Sequence, residues 1–152
     1  MPKKLSEHFT LEELVFSQTA ARKKIDNTPP PEIVANLTRL ANTLEIVRSQ
    51  LGDVQIQVSS GYRSPALNKA IGGAKKSLHM KGLAVDFTAP TFGTVLQTAR
   101  RVAKIDLGYD QIIYEFGHWV HLGLPESDKA PRHQLLSFFG DEYLDGLISK
   151  PT

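Results

Sequence analysis

A helical period that gives way to a strand period across a single glycine constrains this chain more than any other feature. From Pro31 onward, apolar residues recur at three- and four-residue steps: Ile33, Leu37, Leu40, Leu44, Val47 and Leu51. That spacing gathers them on one face of an amphipathic helix, with proline near the first turn, where a missing N–H is harmless. Gly52 stops the helix. Val54, Ile56 and Val58 then alternate with Gln55 and Gln57, the pattern of a half-buried strand. Both periods in one short chain require helices packed on a sheet.

The remaining elements fit the same scheme. Phe9-Thr10-Leu11-Glu12-Glu13-Leu14 reads as a helix start: Thr10 caps, Glu13 completes a capping box, and Phe9 and Leu14 form a hydrophobic staple. Asn27-Thr28-Pro29-Pro30-Pro31 breaks whatever precedes the long helix. Ser64-Pro65 begins a short helix to about Ile71, ended by Gly72-Gly73; residues 74–81 read as a loop and 83–88 as a strand. Pro90 to about Lys104 reads as a second long helix with Val95, Leu96, Ala99, Val102 and Ala103 inward. Residues 110–115 and 119–124 form a hairpin around Gly117. Beyond Pro125 the chain is polar as far as Leu135-Leu136, and a short helix is expected near Asp141 to Ile148. The expected class is α+β: a small, mainly antiparallel sheet with packed helices.

Length and charge exclude several functions. At 152 residues, 41% apolar and 22% charged, the chain suits one domain, 1–152, with a real core. No run approaches the ~18 apolar residues of a membrane span. The start, Met1 to His8, carries basic residues but no apolar stretch, so no classical signal peptide is visible. The net charge of +2 and pI of about 8.9 are too mild to specify a polyanionic partner. Lys3-Lys4, Arg22-Lys23-Lys24, Lys75-Lys76 and Arg100-Arg101 read as solvated surface, and no nucleic-acid motif accompanies them. A monomer without nucleic-acid or membrane partners is expected.

Chemistry concentrates in Ser77-Leu78-His79-Met80-Lys81-Gly82-Leu83-Ala84-Val85-Asp86 and in the later Trp119-Val120-His121. His79, Asp86 and His121 offer two imidazoles and a carboxylate, a set that binds one zinc ion and leaves a coordination position open. With no cysteine in the chain, a closed thiolate site is excluded. Open zinc sites bring the pKa of bound water towards about 7 and polarise carbonyl groups, which serves amide hydrolysis. The same ligands also suit iron or manganese.

Ser77-x-His79-x-x-Gly82-x-Ala84-x-Asp86, the later Trp119-x-His121 and the upstream Ser59-Ser60-Gly61-Tyr62-Arg63-Ser64 together resemble the zinc D-Ala-D-Ala carboxypeptidase family of peptidoglycan peptidases. The resemblance runs from about residue 5 to 124 and leaves 125–152 as a C-terminal extension. It implies a zinc-dependent peptidase with a single zinc cleft, hydrolysing an amide bond in the stem or crosslink peptide of the bacterial wall. The short chain looks most like the phage endolysin branch. Such a lysin would be made in the cytoplasm and reach the wall through a holin lesion. D-Ala-D-Ala, a D-Ala crosslink and L-Ala-D-Glu all remain compatible as the scissile bond.

Around the ligands, the catalytic candidates are Glu115, His118 and Arg63. In the dipeptidase branch of the resembling family a glutamate stands three residues before the last histidine ligand; here that position is His118. Glu115 is the nearest carboxylate, and the turn decides its reach. A two-residue turn at Gly117-His118 sends Glu115 to the face opposite His121, whereas a three-residue turn, Phe116 to His118, pairs it with Trp119 on His121's face. His118 is the alternative proton carrier. Arg63 can hold a substrate carboxylate or a developing oxyanion. Ser77 matches a family position associated with substrate contact, and Tyr62 and Trp119 are cleft-lining candidates. His8 and His133 read as surface or capping residues. A non-catalytic zinc module, like the hedgehog signalling domain, and a wall-binding or phage structural protein are the competing functions.

Overall fold

The long amphipathic helix forms as its spacing predicts. The computed structural model, which describes residues 3–152, places α3 at Pro31–Gln50 after two short helices, α1 (Leu11–Val15) and α2 (Gln18–Lys23). Leu37, Leu40, Leu44 and Val47 on its inner face are fully buried. Thr10 caps α1 with the expected capping box, and Phe9 and Leu14 both enter the core. The other elements are β1 (Gln57–Ser60), α4 (Pro65–Ala70), a short 3₁₀ helix (Leu78–Lys81), β2 (Ala84–Thr88), α5 (Val95–Ala103), β3 (Gln111–Glu115), β4 (Trp119–Gly123), β5 (Gln134–Phe138) and β6 (Tyr143–Asp145). Among the described residues, no helix is long and apolar enough to cross a membrane.

The strands form one six-stranded sheet in the order β1-β2-β4-β3-β5-β6. Every neighbouring pair is antiparallel except β3 and β5, so the sheet is mixed, with antiparallel pairing dominant. Strand alternation separates its two faces. Val85 and Phe87 of β2, Ile112 of β3, and Val120 and Leu122 of β4 turn towards the helices and are buried. Asp86, Glu115, Trp119 and His121 occupy the alternate positions and therefore the other face.

Four expectations need correction. α5 begins at Val95, not Pro90, because Thr94 and Gln97 form a capping box that fixes the start; residues before it close a turn through Phe92 N–H to the Ala89 carbonyl at 3.0 Å. β1 starts at Gln57, since its partner β2 ends at Thr88, directly opposite, and leaves Val54 to Ile56 without a ladder. The segment carrying His79 is not loop throughout but a 3₁₀ turn capped by Ser77. Near Asp141 to Ile148 the chain is not helical: it forms β6, paired with β5, which itself pairs in parallel with β3. The stretch after residue 124 thus supplies two strands of the common sheet.

Candidate metal centre and cleft

Register brings two of the metal-ligand candidates together. Asp86 and His121 are direct partners across the antiparallel β2–β4 pair. Side chains directly opposite one another share a face, and His121 Nδ1 lies 2.9 Å from Asp86 Oδ1. His79 arrives from the 3₁₀ turn, with Nε2 3.4 Å from the same oxygen. The three donor atoms lie within 4.8 Å of one another.

The upstream Ser-Gly-Tyr-Arg segment holds this arrangement from behind. His79 Nδ1 donates to the Gly61 carbonyl at 2.7 Å. A carbonyl only accepts, so this bond puts the proton on Nδ1 and leaves the Nε2 lone pair facing Asp86. Gly61 is required for close approach: a Cβ there would fall 2.2 Å from the Leu14 carbonyl oxygen. Tyr62 N–H donates to that same oxygen, while Arg63 N–H donates to the His79 carbonyl at 3.1 Å. Asn27 completes the staple, donating to the Val15 and Tyr62 carbonyls and accepting from Ser64 N–H.

The electrostatics suit a cation. Burial alone would raise Asp86, but its hydrogen bond with His121 and the charge there outweigh it and hold the carboxyl well below the usual range. Burial lowers His79 and disfavours its charged form, against the pull of Asp86. For His121 burial acts in the same direction, yet Asp86 and Glu115 override it and raise the imidazole. A buried carboxylate, a neutral imidazole with its lone pair aimed inward and a second imidazole on the same oxygen fit a zinc ion with an open position.

Glu115 takes the favourable one of its two geometries. The turn is the three-residue one: Glu115 pairs with Trp119, Phe116 and Gly117 both adopt left-handed φ values, and His118 N–H closes onto the Glu115 carbonyl at 2.9 Å. Glu115 Oε1 therefore comes within 3.7 Å of His121 Nδ1. Burial and the neighbouring Asp86 charge raise its carboxyl above the ordinary value, with His121 and Arg63 opposing. His118, by contrast, is exposed at the tip of the turn and lines none of the cavities around the cluster, because one residue of turn carries it past the cleft face.

The other candidates divide. Arg63 enters the cleft with Nη2 3.8 Å from Asp86 Oδ2. Trp119 lines the cleft and leans on Phe116, ring centroids 5.5 Å apart. Ser77 borders the cleft, but its hydroxyl is engaged, accepting from His79 N–H at 3.2 Å. Tyr62 is buried in the core with one edge on the adjoining cavity. His8 clamps the N-terminal segment to α3 through Glu45, 2.7 Å away, and His133 packs edge-on against Tyr109. Four cleft side chains were missed in the sequence reading. Gln111 and Ile113 were within reach, since alternation from Glu115 puts them on its face; Tyr143 and Arg132, which come from the stretch after residue 124, had no signal.

Comparison with known proteins gives two results. A family model described as Peptidase M15 matches residues 7–123, a span that contains Arg63, His79, Asp86, Glu115 and His121. A zinc D-Ala-D-Ala carboxypeptidase of Streptomyces albus G is 41% identical over 59 residues, covering 38% of this chain and 23% of that protein. The chain therefore aligns with about a quarter of that relative's length.

Proposed function

Because this chain belongs to the peptidase M15 family, we propose that it is a zinc-dependent peptidase that hydrolyses an amide bond in the stem or crosslink peptide of bacterial peptidoglycan. The observation that carries the reading is the convergence of His79, Asp86 and His121 on one point, with Glu115 on the same sheet face. His79, Asp86 and His121 would hold the ion. When bound, zinc supplies Lewis acidity to the scissile carbonyl and acidifies water.

The chain's own residues divide the remaining work. Glu115 takes a proton from the attacking water and returns it to the leaving amine, so the C–N bond breaks without expelling an anion of nitrogen. Its raised carboxyl brings it closer to working pH than an ordinary glutamate. Arg63, fixed beside Asp86, offers guanidinium N–H groups to the substrate carbonyl or carboxylate. Trp119 forms part of the cleft wall beside the reacting centre. Glu115 in this position favours an enzyme over a non-catalytic zinc module, whose main support was histidine at position 118.

We read the wider role as that of a lysin acting on the wall after release from the cytoplasm, with residues 1–152 as one peptidase domain. Mass spectrometry of fragments released from purified peptidoglycan tests the chemistry, using wild-type protein and His121→Ala with zinc present. New amino termini that vanish in the variant support the proposal. Intact wall after treatment with protein that demonstrably holds zinc would sink it.

A further inference from the structure

The cavity at the metal-ligand cluster, about 550 Å³, does not end there. Towards β1 it opens into a second cavity of about 510 Å³, with Arg63, Ile71, Asp86 and Trp119 common to both. Away from β1 it meets a third, of about 800 Å³, with Lys76, Ser77, Leu78 and Arg132 common to both. Together they make a trough that passes the cluster and continues in both directions.

The two arms differ chemically. The arm towards β1 is walled by Phe16, Val58, Tyr62 and Leu67 with hydroxyls from Ser59 and Ser60, and among the described residues its only charged groups, Arg63 and Asp86, stand at the junction. The other arm carries Lys75, Lys76, Lys81, Lys129 and Arg132 against Asp110 and Glu126. Both acids are already engaged. Arg132 grips Asp110 through Nε and Nη2, the closest contact being 2.8 Å, and Glu126 sits 3.0 Å from Lys81 and 3.6 Å from Lys129. Lys75 and Lys76 have no acidic partner among the described residues and are exposed.

We propose that the enzyme is an endopeptidase whose substrate fills both arms, with substrate carboxylates lying over Lys75 and Lys76. The inference rests on the peptidase reading above and specifies its substrate. An enzyme that removes one terminal residue needs a wall and a fixed cation just beyond the scissile bond. Here the nearest fixed cation, Arg63, stands at a junction, and the trough continues past it. The lysine pair that reads in sequence as mere solvated surface becomes the one unpaired cationic stretch of the substrate path. Small or apolar groups suit the opposite arm, where burial of apolar surface supplies the affinity.

Zinc-loaded protein should be given peptidoglycan fragments in two matched pairs. One pair differs in whether the chain stops one residue after the candidate bond or continues through a crosslink; the other differs in whether its carboxylates are free or amidated. Chromatography with mass spectrometry should show internal cleavage of the crosslinked fragment, and a higher kcat/KM for the free-carboxylate form. The double substitution Lys75→Glu with Lys76→Glu should reduce that preference roughly tenfold, the scale of two exposed ion pairs. Release of a single terminal residue and nothing else would overturn the proposal while leaving a peptidase. A carboxylate preference untouched by the double substitution would overturn the assignment of the lysine arm. Cleavage of no fragment at all would remove the peptidase reading and this inference with it.

Discussion

His79 shows how one residue is given two different contacts. Its Nδ1 is committed to the Gly61 carbonyl, and its Nε2 is left to face Asp86. Asp86 is shared in the same way, one oxygen towards the histidines and the other towards Arg63. Glu115 differs from both, because among the described residues no hydrogen bond holds its carboxylate and its nearest basic atom, on His121, is 3.7 Å away. A group held so loosely is free to exchange protons with a substrate. Glu115→Gln should therefore retain one zinc per chain by elemental analysis while kcat falls by about two to four orders of magnitude. Activity within a few-fold of wild type would remove Glu115 from the chemistry and send the search for a base elsewhere.

At the scale of elements, the clamp between Asp110 and Arg132 fixes where the chain re-enters the sheet. Arg132 meets Asp110 through its guanidinium and its backbone N–H, just before β5 begins at Gln134. That bonding, opposed by burial, holds the Asp110 carboxyl below its ordinary value. A carboxyl depressed in the folded state adds stability above the unfolded value of about 3.9, and the contribution is lost as pH falls through the folded value. Asp110→Asn should lower stability by about 1–2 kcal/mol at pH 6 and flatten the acid side of the profile below about pH 4. Urea titrations of both proteins from pH 6 to well below pH 4 measure it, and parallel profiles would show that the clamp is inert. This element also marks where sequence legibility ends. The β3–β4 hairpin and α3 are legible because their apolar periods are long and their caps local. The ligand residues lie in short motifs whose spacing survives without knowledge of the fold. By contrast β5 and β6 are short, five and three residues, too short to show an apolar period, and β5 owes its strand state to β3, more than twenty residues back. Which turn joins β3 to β4, and hence where Glu115 points, depends on Phe116 accepting a left-handed conformation that nothing in its side chain advertises.

At the scale of the whole molecule, the sheet is a partition with a dry side and a working side. Helices and apolar side chains fill one face, and the trough and its charges occupy the other. The stretch after residue 124 serves both: Leu135 packs against the core while Tyr143 and Arg132 border the cleft. A chain stopped after Leu124 should consequently lose its cooperative unfolding transition and bind a hydrophobic dye, since β3 is stripped of one neighbour. A sharp transition at the full-length midpoint would show instead that β5 and β6 are dispensable for folding. The parallel pairing of β5 with β3 has a further consequence during folding. β4 follows β3 after a short turn, but β5 must return across the stretch from 119 to 133 before it can pair. Until it docks, the chain presents one side of β3 as an unpaired edge, the usual template for strand-by-strand aggregation. Anything that delays the docking of Gln134 to Phe138 should therefore turn a folding chain towards its neighbours, and light scattering during refolding from urea measures that.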